Sequence, residues 1–256
     1  MHKIIFISIL ITSLSKNAAS QFNETIRTGR PGQAIGPFAT GKRIIQIQTG
    51  FDTGGNDISS DDYHYKNLNT NFRYGITERF EINSAWSIQQ ETFDLSNSKS
   101  RGINISSVGF RIHLVKPTNT LPAIGIQLSL RTPLNTGDYS STYFGLSSRL
   151  VLRKSTGKNS ALLVNLAYSN PQNNNNHTFS HIINYGYNIS EKWGIFIENY
   201  SNFTKNHFEN YWDAGFSYLV NNNFQLDAYG GTSLNLLHPN FFFSIGFSGR
   251  IVSLRK

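Results

Sequence analysis

The chain has 256 residues, 38% of them apolar, and it carries 23 basic against 15 acidic side chains for a formal net charge of +8. Without a single cysteine it has neither a disulfide framework nor a thiolate metal site, and its apolar share lies below the ~45 to 50% of ordinary globular domains, which argues against a large dry core. No basic run exceeds two residues, which disfavours nucleic acid as a partner, and 19 phenylalanines, 12 tyrosines and 21 glycines against one methionine favour aromatic-rich sheet over helix.

In chain order, His2 and Lys3 precede a mostly apolar run from Ile4 to Leu14, and Ala18, Ala19 and Ser20 supply the small residues that a signal peptidase reads. Residues 1–20 are therefore read as a signal peptide cleaved before Gln21. The run is 11 residues long, short of the ~20 that a spanning helix needs. Export without a transmembrane helix is the expectation. Loss of Lys3 and Lys16 leaves 21 basic against 15 acidic groups, or +6.

Residues 21–42 hold Arg30-Pro31-Gly32 and Gly36-Pro37. Two prolines so close cannot sustain a hydrogen-bonded ladder, so this stretch is expected to be a periplasmic segment or to pack in a lumen, not to form a wall strand. Arg30 is the candidate plug residue, with Glu81, Glu198 and Asp227 as the carboxylates it could reach; a plain periplasmic tail is the alternative.

From residue 43 onward twelve alternating segments follow: 43–51, 66–76, 79–88, 103–115, 123–131, 143–153, 160–168, 179–189, 193–200, 211–219, 224–230 and 241–251. Most match the ~9 to 11 residues of tilted strands crossing an outer membrane. The connections alternate in length, every odd one longer than every even one, as in an up-and-down barrel with short periplasmic turns and longer external loops. The odd ones are polar, with GGNDISSDDY and the Asn-rich SNPQNNNNH among them. The fold class expected is all-β, a transmembrane antiparallel up-and-down barrel of about twelve strands formed by residues 43–256.

The stretch RYGITERFEINSAW, 73–86, shows the two faces. Tyr74, Ile76, Phe80, Ile82 and Trp86 share one parity; Arg73, Gly75, Glu81, Asn83 and Ala85 share the other. In a barrel the apolar parity meets lipid and the other lines the interior. Extended over the chain, the inner parity collects Arg73, Glu81, Arg111, Arg131, Arg149, Glu198, Asp213, Asp227 and Arg250, with His113, Gln127 and Arg153 among them, and glycines between. Arginine dominates there and lysine gathers in turns; a planar guanidinium suits confined pairing with carboxylates better than an ammonium. These residues are the lumen-lining candidates. Aromatics near strand ends, Tyr74, Tyr168, Tyr185, Tyr187, Trp193, Tyr200, Tyr211, Tyr218 and Phe224, are read as a girdle at headgroup level.

Several motifs carry a family likeness. Thr28-Gly29-Arg30-Pro31-Gly32-Gln33-Ala34, with Gly36-Pro37-Phe38 and the run from Gly41 to Gly50, resembles the opening of the meta-pathway phenol-degradation transporter family of outer-membrane β-barrels. The hairpin from Arg73 to Ile82, the stretch from Leu226 to Gly231 and the stretch from Phe243 to Arg250 are similar to further segments of that family. Gly29 stands where the family usually has Asp, and Gln48 where it often has Glu. The resemblance implies the barrel and a transport role.

The function expected is an outer-membrane channel or transporter, passing small solutes, hydrophobic or aromatic ones included, through a polar Arg/Asp/Glu-lined lumen. The alternatives are a structural or adhesive barrel acting through its loops and, less favoured, a lipid-modifying enzyme. The enzyme reading suffers because Ser180 and His181 are adjacent on a strand and so point to opposite faces. The seven histidines lack ligand spacing, so no metal and no cofactor is expected. Expected partners are outer-membrane lipid, a small-molecule solute and the barrel-assembly machinery.

Overall fold

A computed structural model describes residues 24–56, 63–94, 96–170, 177–234 and 240–252. The signal-peptide reading and most of the Asn-rich SNPQNNNNH connection lie outside the described residues, as does most of the GGNDISSDDY loop.

Twelve strands follow one another: β1 (Ile44–Asn56), β2 (Tyr63–Gly75), β3 (Phe80–Phe93), β4 (Ser98–Val115), β5 (Ala123–Arg131), β6 (Gly145–Ser155), β7 (Ser160–Asn170), β8 (Thr178–Asn188), β9 (Trp193–Phe203), β10 (Phe208–Asn221), β11 (Phe224–Ser233) and β12 (Asn240–Val252). Each pairs antiparallel with its neighbours in sequence, and β1 pairs with β12 from Ile44 opposite Val252 to Asn56 opposite Asn240, which closes the barrel. Closure matters because a sheet edge facing lipid would strand unpaired N–H and C=O groups. Both ends of the wall, Ile44 and Val252, lie at one rim, called here the terminus end; the other is the distal end.

The period-two pattern sorts side chains as the lipid environment requires. Phe72, Ile82, Val108, Ile197 and Ile245 are 45 to 49% exposed on the outside, whereas Arg73, Glu81 and Glu198 are 0 to 2% exposed within. This inverts a soluble protein: the buried set is mostly polar, and the large apolar side chains form the outer band.

Turns at the terminus end are held by short local bonds. Thr77 Oγ1 accepts from the N–H groups of Arg79 and Phe80, at 3.2 and 3.0 Å, between β2 and β3. Ser190 Oγ does the same for Lys192 and Trp193 between β8 and β9, at 3.3 and 3.1 Å. Both are hydroxyl-stabilised turns that set the hairpin register.

One expectation needs correction. The connections do not divide cleanly by length, because 94–97 and 204–207, at the distal end, are no longer than 189–192 at the terminus end, and 116–122 at the terminus end matches 171–177. The strands themselves run on at the distal end: β3 reaches Phe93 and β4 starts at Ser98, with Gln90 opposite Arg101 and Thr92 opposite Lys99. Beyond the lipid band the outward positions turn polar while the backbone ladder continues. The apolar alternation is therefore shorter than the strand on β3 and β4.

Candidate functional site: the lumen and the segment across it

Residues 24–43 form no strand; they enter at the terminus end and run through the lumen. The bonds follow the segment around the wall. Arg250 Nη2 and Nη1 donate to the carbonyls of Glu24 and Thr25, at 2.6 and 3.3 Å, and Ile26 N–H donates to the Asn222 carbonyl at 2.8 Å. Arg73 Nη1 and Gln46 Nε2 both reach the Arg27 carbonyl at 3.0 Å. Arg30 then turns towards β11 and β12: its Nε and Nη2 donate to Asp227 Oδ1 at 3.1 and 2.8 Å, and Nη2 also donates to Ser244 Oγ at 2.8 Å. A Cβ on Gly50 or Gly246 would stand 2.0 or 2.5 Å from this guanidinium, so the two facing glycines leave the slot it occupies.

Next the segment crosses to β9. Glu198 accepts the backbone N–H groups of Gln33 and Ala34, at 2.7 and 2.9 Å, and Asn184 Nδ2 at 3.0 Å. Asn165 on β7 exchanges two bonds with Ile35, accepting from its N–H at 2.9 Å and donating to its carbonyl at 3.1 Å. Arg149 donates to the Gln33 carbonyl at 3.0 Å and Arg111 to the Gly36 carbonyl at 3.2 Å. Gly125 lets Pro37 lie against β5, since a Cβ there would come 2.5 Å from the Pro37 oxygen. Phe38 meets His113 edge-on at 4.8 Å and lies under the Arg27 guanidinium at 4.2 Å. Thr40 N–H finally donates to Glu81 Oε2 at 2.8 Å.

The physical reason is the same throughout. A chain without its own ladder carries obligatory donors and acceptors into a buried place, and inward carboxylates, amides and guanidiniums of the wall satisfy them. Glu81 is the most heavily used: Arg73 grips it with two bonds, Nε to Oε1 at 2.9 Å and Nη2 to Oε2 at 2.8 Å, and Arg111 stands 3.7 Å away. Charge is unevenly placed along the axis. Arg27, Arg73, Arg111 and Arg153 line a cavity of about 600 Å³ beside the segment. Burial, with Arg153 and Arg250 nearby, lowers the Arg27 guanidinium to about 10, which leaves it charged at neutral pH.

Of the lumen candidates, Arg73, Glu81, Arg111, Arg149, Glu198, Asp227 and Arg250 all contact residues 24–43 directly or through Arg30. Arg131 ends β5 at the distal end, and Asp213 lies opposite Glu198 across β9 and β10 with no donor on either carboxylate oxygen among the described residues. The inward amides Gln46, Asn165, Asn184 and Gln225 escaped the sequence reading, which weighted charge; their shared parity with Glu198 and Asp227 was the available signal. Tyr200 and Tyr211 need correction as girdle residues. Counting by twos from Ile197, exposed outside, places Asn199 outward and Tyr200 inward, and Tyr211 is its cross-strand partner. Tyr185, Tyr187 and Trp193 do face outward, each 44 to 45% exposed. Among the described residues no group of His, Asp and Glu is arranged to hold a metal ion, and no helix is long and apolar enough to cross a membrane.

A family model described as "Putative MetA-pathway of phenol degradation" matches residues 28–251. The chain belongs to that family. The match takes in the lumen segment from Thr28 as well as the wall. Among solved structures, the COG4313 outer membrane channel from Pseudomonas putida F1 matches with a TM-score of 0.65 at 11% identity, over 87% of this chain and 99% of that one. The KdgM porin matches with a TM-score of 0.52 at 13% identity, over 80% and 98%. The CymD monoaromatic hydrocarbon channel matches with a TM-score of 0.50 at 9% identity, over 82% and 89%. At such identities the likeness establishes the fold, an outer-membrane type of barrel. All three are channels or porins, not enzymes. Among curated proteins no sequence match is found.

Proposed function

We propose that this family member is an outer-membrane channel for small solutes, aromatic or hydrophobic ones included, whose lumen residues 24–43 close at rest. The terminus end, where most turns are short, is taken as periplasmic. The observation that carries the reading is the continuous set of bonds from Arg250 through Asp227, Glu198 and Asn165 to Glu81, which holds the segment across the lumen. A wall serving only as a scaffold has no need of polar groups aimed at one unstructured segment. The family description and the monoaromatic-hydrocarbon channel among the similar folds support the solute class.

Planar-bilayer conductance and solute uptake into liposomes test this with the intact chain and a variant lacking residues 22–39. The expected result is a folded barrel in both and greater flux in the deletion. Unchanged flux would make the segment a passive tail, and loss of the folded barrel would make it part of the wall.

A further inference from the structure

At the distal end of the lumen, away from the cavity lined by Arg27, Arg73, Arg111 and Arg153, lies a second cavity of about 380 Å³. Tyr63 and Tyr65 from β2, Tyr200 from β9, Glu209 and Tyr211 from β10 and Phe242 from β12 form most of its wall. The Tyr200 and Tyr211 rings are stacked with centroids 4.8 Å apart and planes 10° from parallel, and the Tyr63 and Tyr65 centroids are 5.9 Å apart. Neither lysine nor arginine lines it.

The charge around it is negative. Glu209 is in the wall itself. Glu91 accepts from the Tyr63 hydroxyl at 2.8 Å. Asp52, inward on β1, is held by Ser244 and Asn69. His207 in the β9–β10 turn stands 3.3 Å from Glu209, its side chain 68% exposed. An aromatic face is electron-rich, so several tyrosine rings with carboxylates beside them attract a cation that can shed part of its water, and they repel an anion.

We propose that this cavity is a binding site for a small organic ammonium ion, of a size up to one ring with a short amine-bearing chain. The amine faces Glu209 and the tyrosine rings; the apolar part lies against Phe242. This would put a cation-selective station ahead of the arginine-rich cavity, so that the two ends of the lumen favour solutes of opposite charge. The proposal concerns equilibrium binding and stands apart from whether the segment opens.

The test uses the full chain in detergent at neutral pH and three probes that differ mainly in charge: 2-phenylethylammonium, 2-phenylethanol and phenylacetate. Titration calorimetry should find the ammonium at least about fivefold tighter than the alcohol, with phenylacetate weakest. Glu209→Gln, a change at the rim, and Tyr200→Leu, a change in the stack, should each weaken the ammonium about fivefold or more and leave the alcohol nearly unchanged. Heat-modifiability on gels reports that each variant is folded. Absence of binding, equal affinity for the alcohol or phenylacetate, or ammonium uptake that neither substitution alters, which is partition into the micelle, would each overturn the proposal.

Discussion

Replacing Arg30 by alanine is the sharpest perturbation of the closed lumen. In the structure its side chain is 11% exposed and the Asp227 side chain is fully buried, so the substitution strands a carboxylate that has lost its cation and two charge-assisted bonds. Breaking one side of a buried pair costs about 3 to 5 kcal/mol. The wall loses no ladder bond, so the cost falls on docking of residues 24–43 and not on the barrel. A 3 kcal/mol loss multiplies the undocked fraction by somewhat over 100. Asp227→Ala should cost a similar amount, because it strands the guanidinium. The double variant should cost far less than the two singles together, since no charge is then left unpaired, and a coupling of at least ~2 kcal/mol is expected. Hydrogen exchange at Gln33, Ala34 and Ile35 reads docking directly, because their N–H groups are bonded to Glu198 and Asn165 only when the segment is in place. If those amides exchange at the same rate in the Arg30→Ala chain as in the parent, or if the two substitutions are additive, the ion pair does not hold the segment and the reasoning fails.

Gly125→Ala should displace Pro37 and raise single-channel conductance while leaving the heat-modifiable barrel intact, because the clash is with the segment's backbone; parental conductance would mean that the segment can shift without opening a path. Leu128→Arg, lipid-facing, should destabilise the barrel by about 2 to 4 kcal/mol in urea unfolding from vesicles, and Ser129→Arg, lumen-facing, by clearly less; equal costs would contradict the assigned faces. Ser129 is the better comparison than Gln127, whose side-chain oxygen already accepts from Arg111 at 3.1 and 2.6 Å. Glu198→Ala should speed exchange at Gln33 and Ala34 more than at Thr40, whose N–H is bonded to Glu81 instead, and uniform acceleration would show that the segment undocks as one unit.

The sequence by itself determined the wall. Period-two alternation repeated twelve times, with turn residues between, admits few folds when the apolar share is too low for a dry core, and every one of the twelve segments overlaps an observed strand. Parity then placed Arg73, Glu81, Glu198 and Asp227 inside, because side-chain direction in a strand depends only on counting by twos. Strand ends were less legible, since a ladder needs backbone partners and not an apolar stripe, so β3 and β4 continue into water. Tertiary structure alone decided the contents of the lumen. Arg30 could have met any of three carboxylates at the right parity; Asp227 receives it because Gly50 and Gly246 leave room beside it and Ser244 offers a further acceptor. Glu198 is turned instead to backbone N–H groups of a segment more than 160 residues earlier in the chain. Such pairings depend on the diameter and stagger of the closed barrel, which set the inward side chains within reach of one another, and no local pattern of residues encodes that distance.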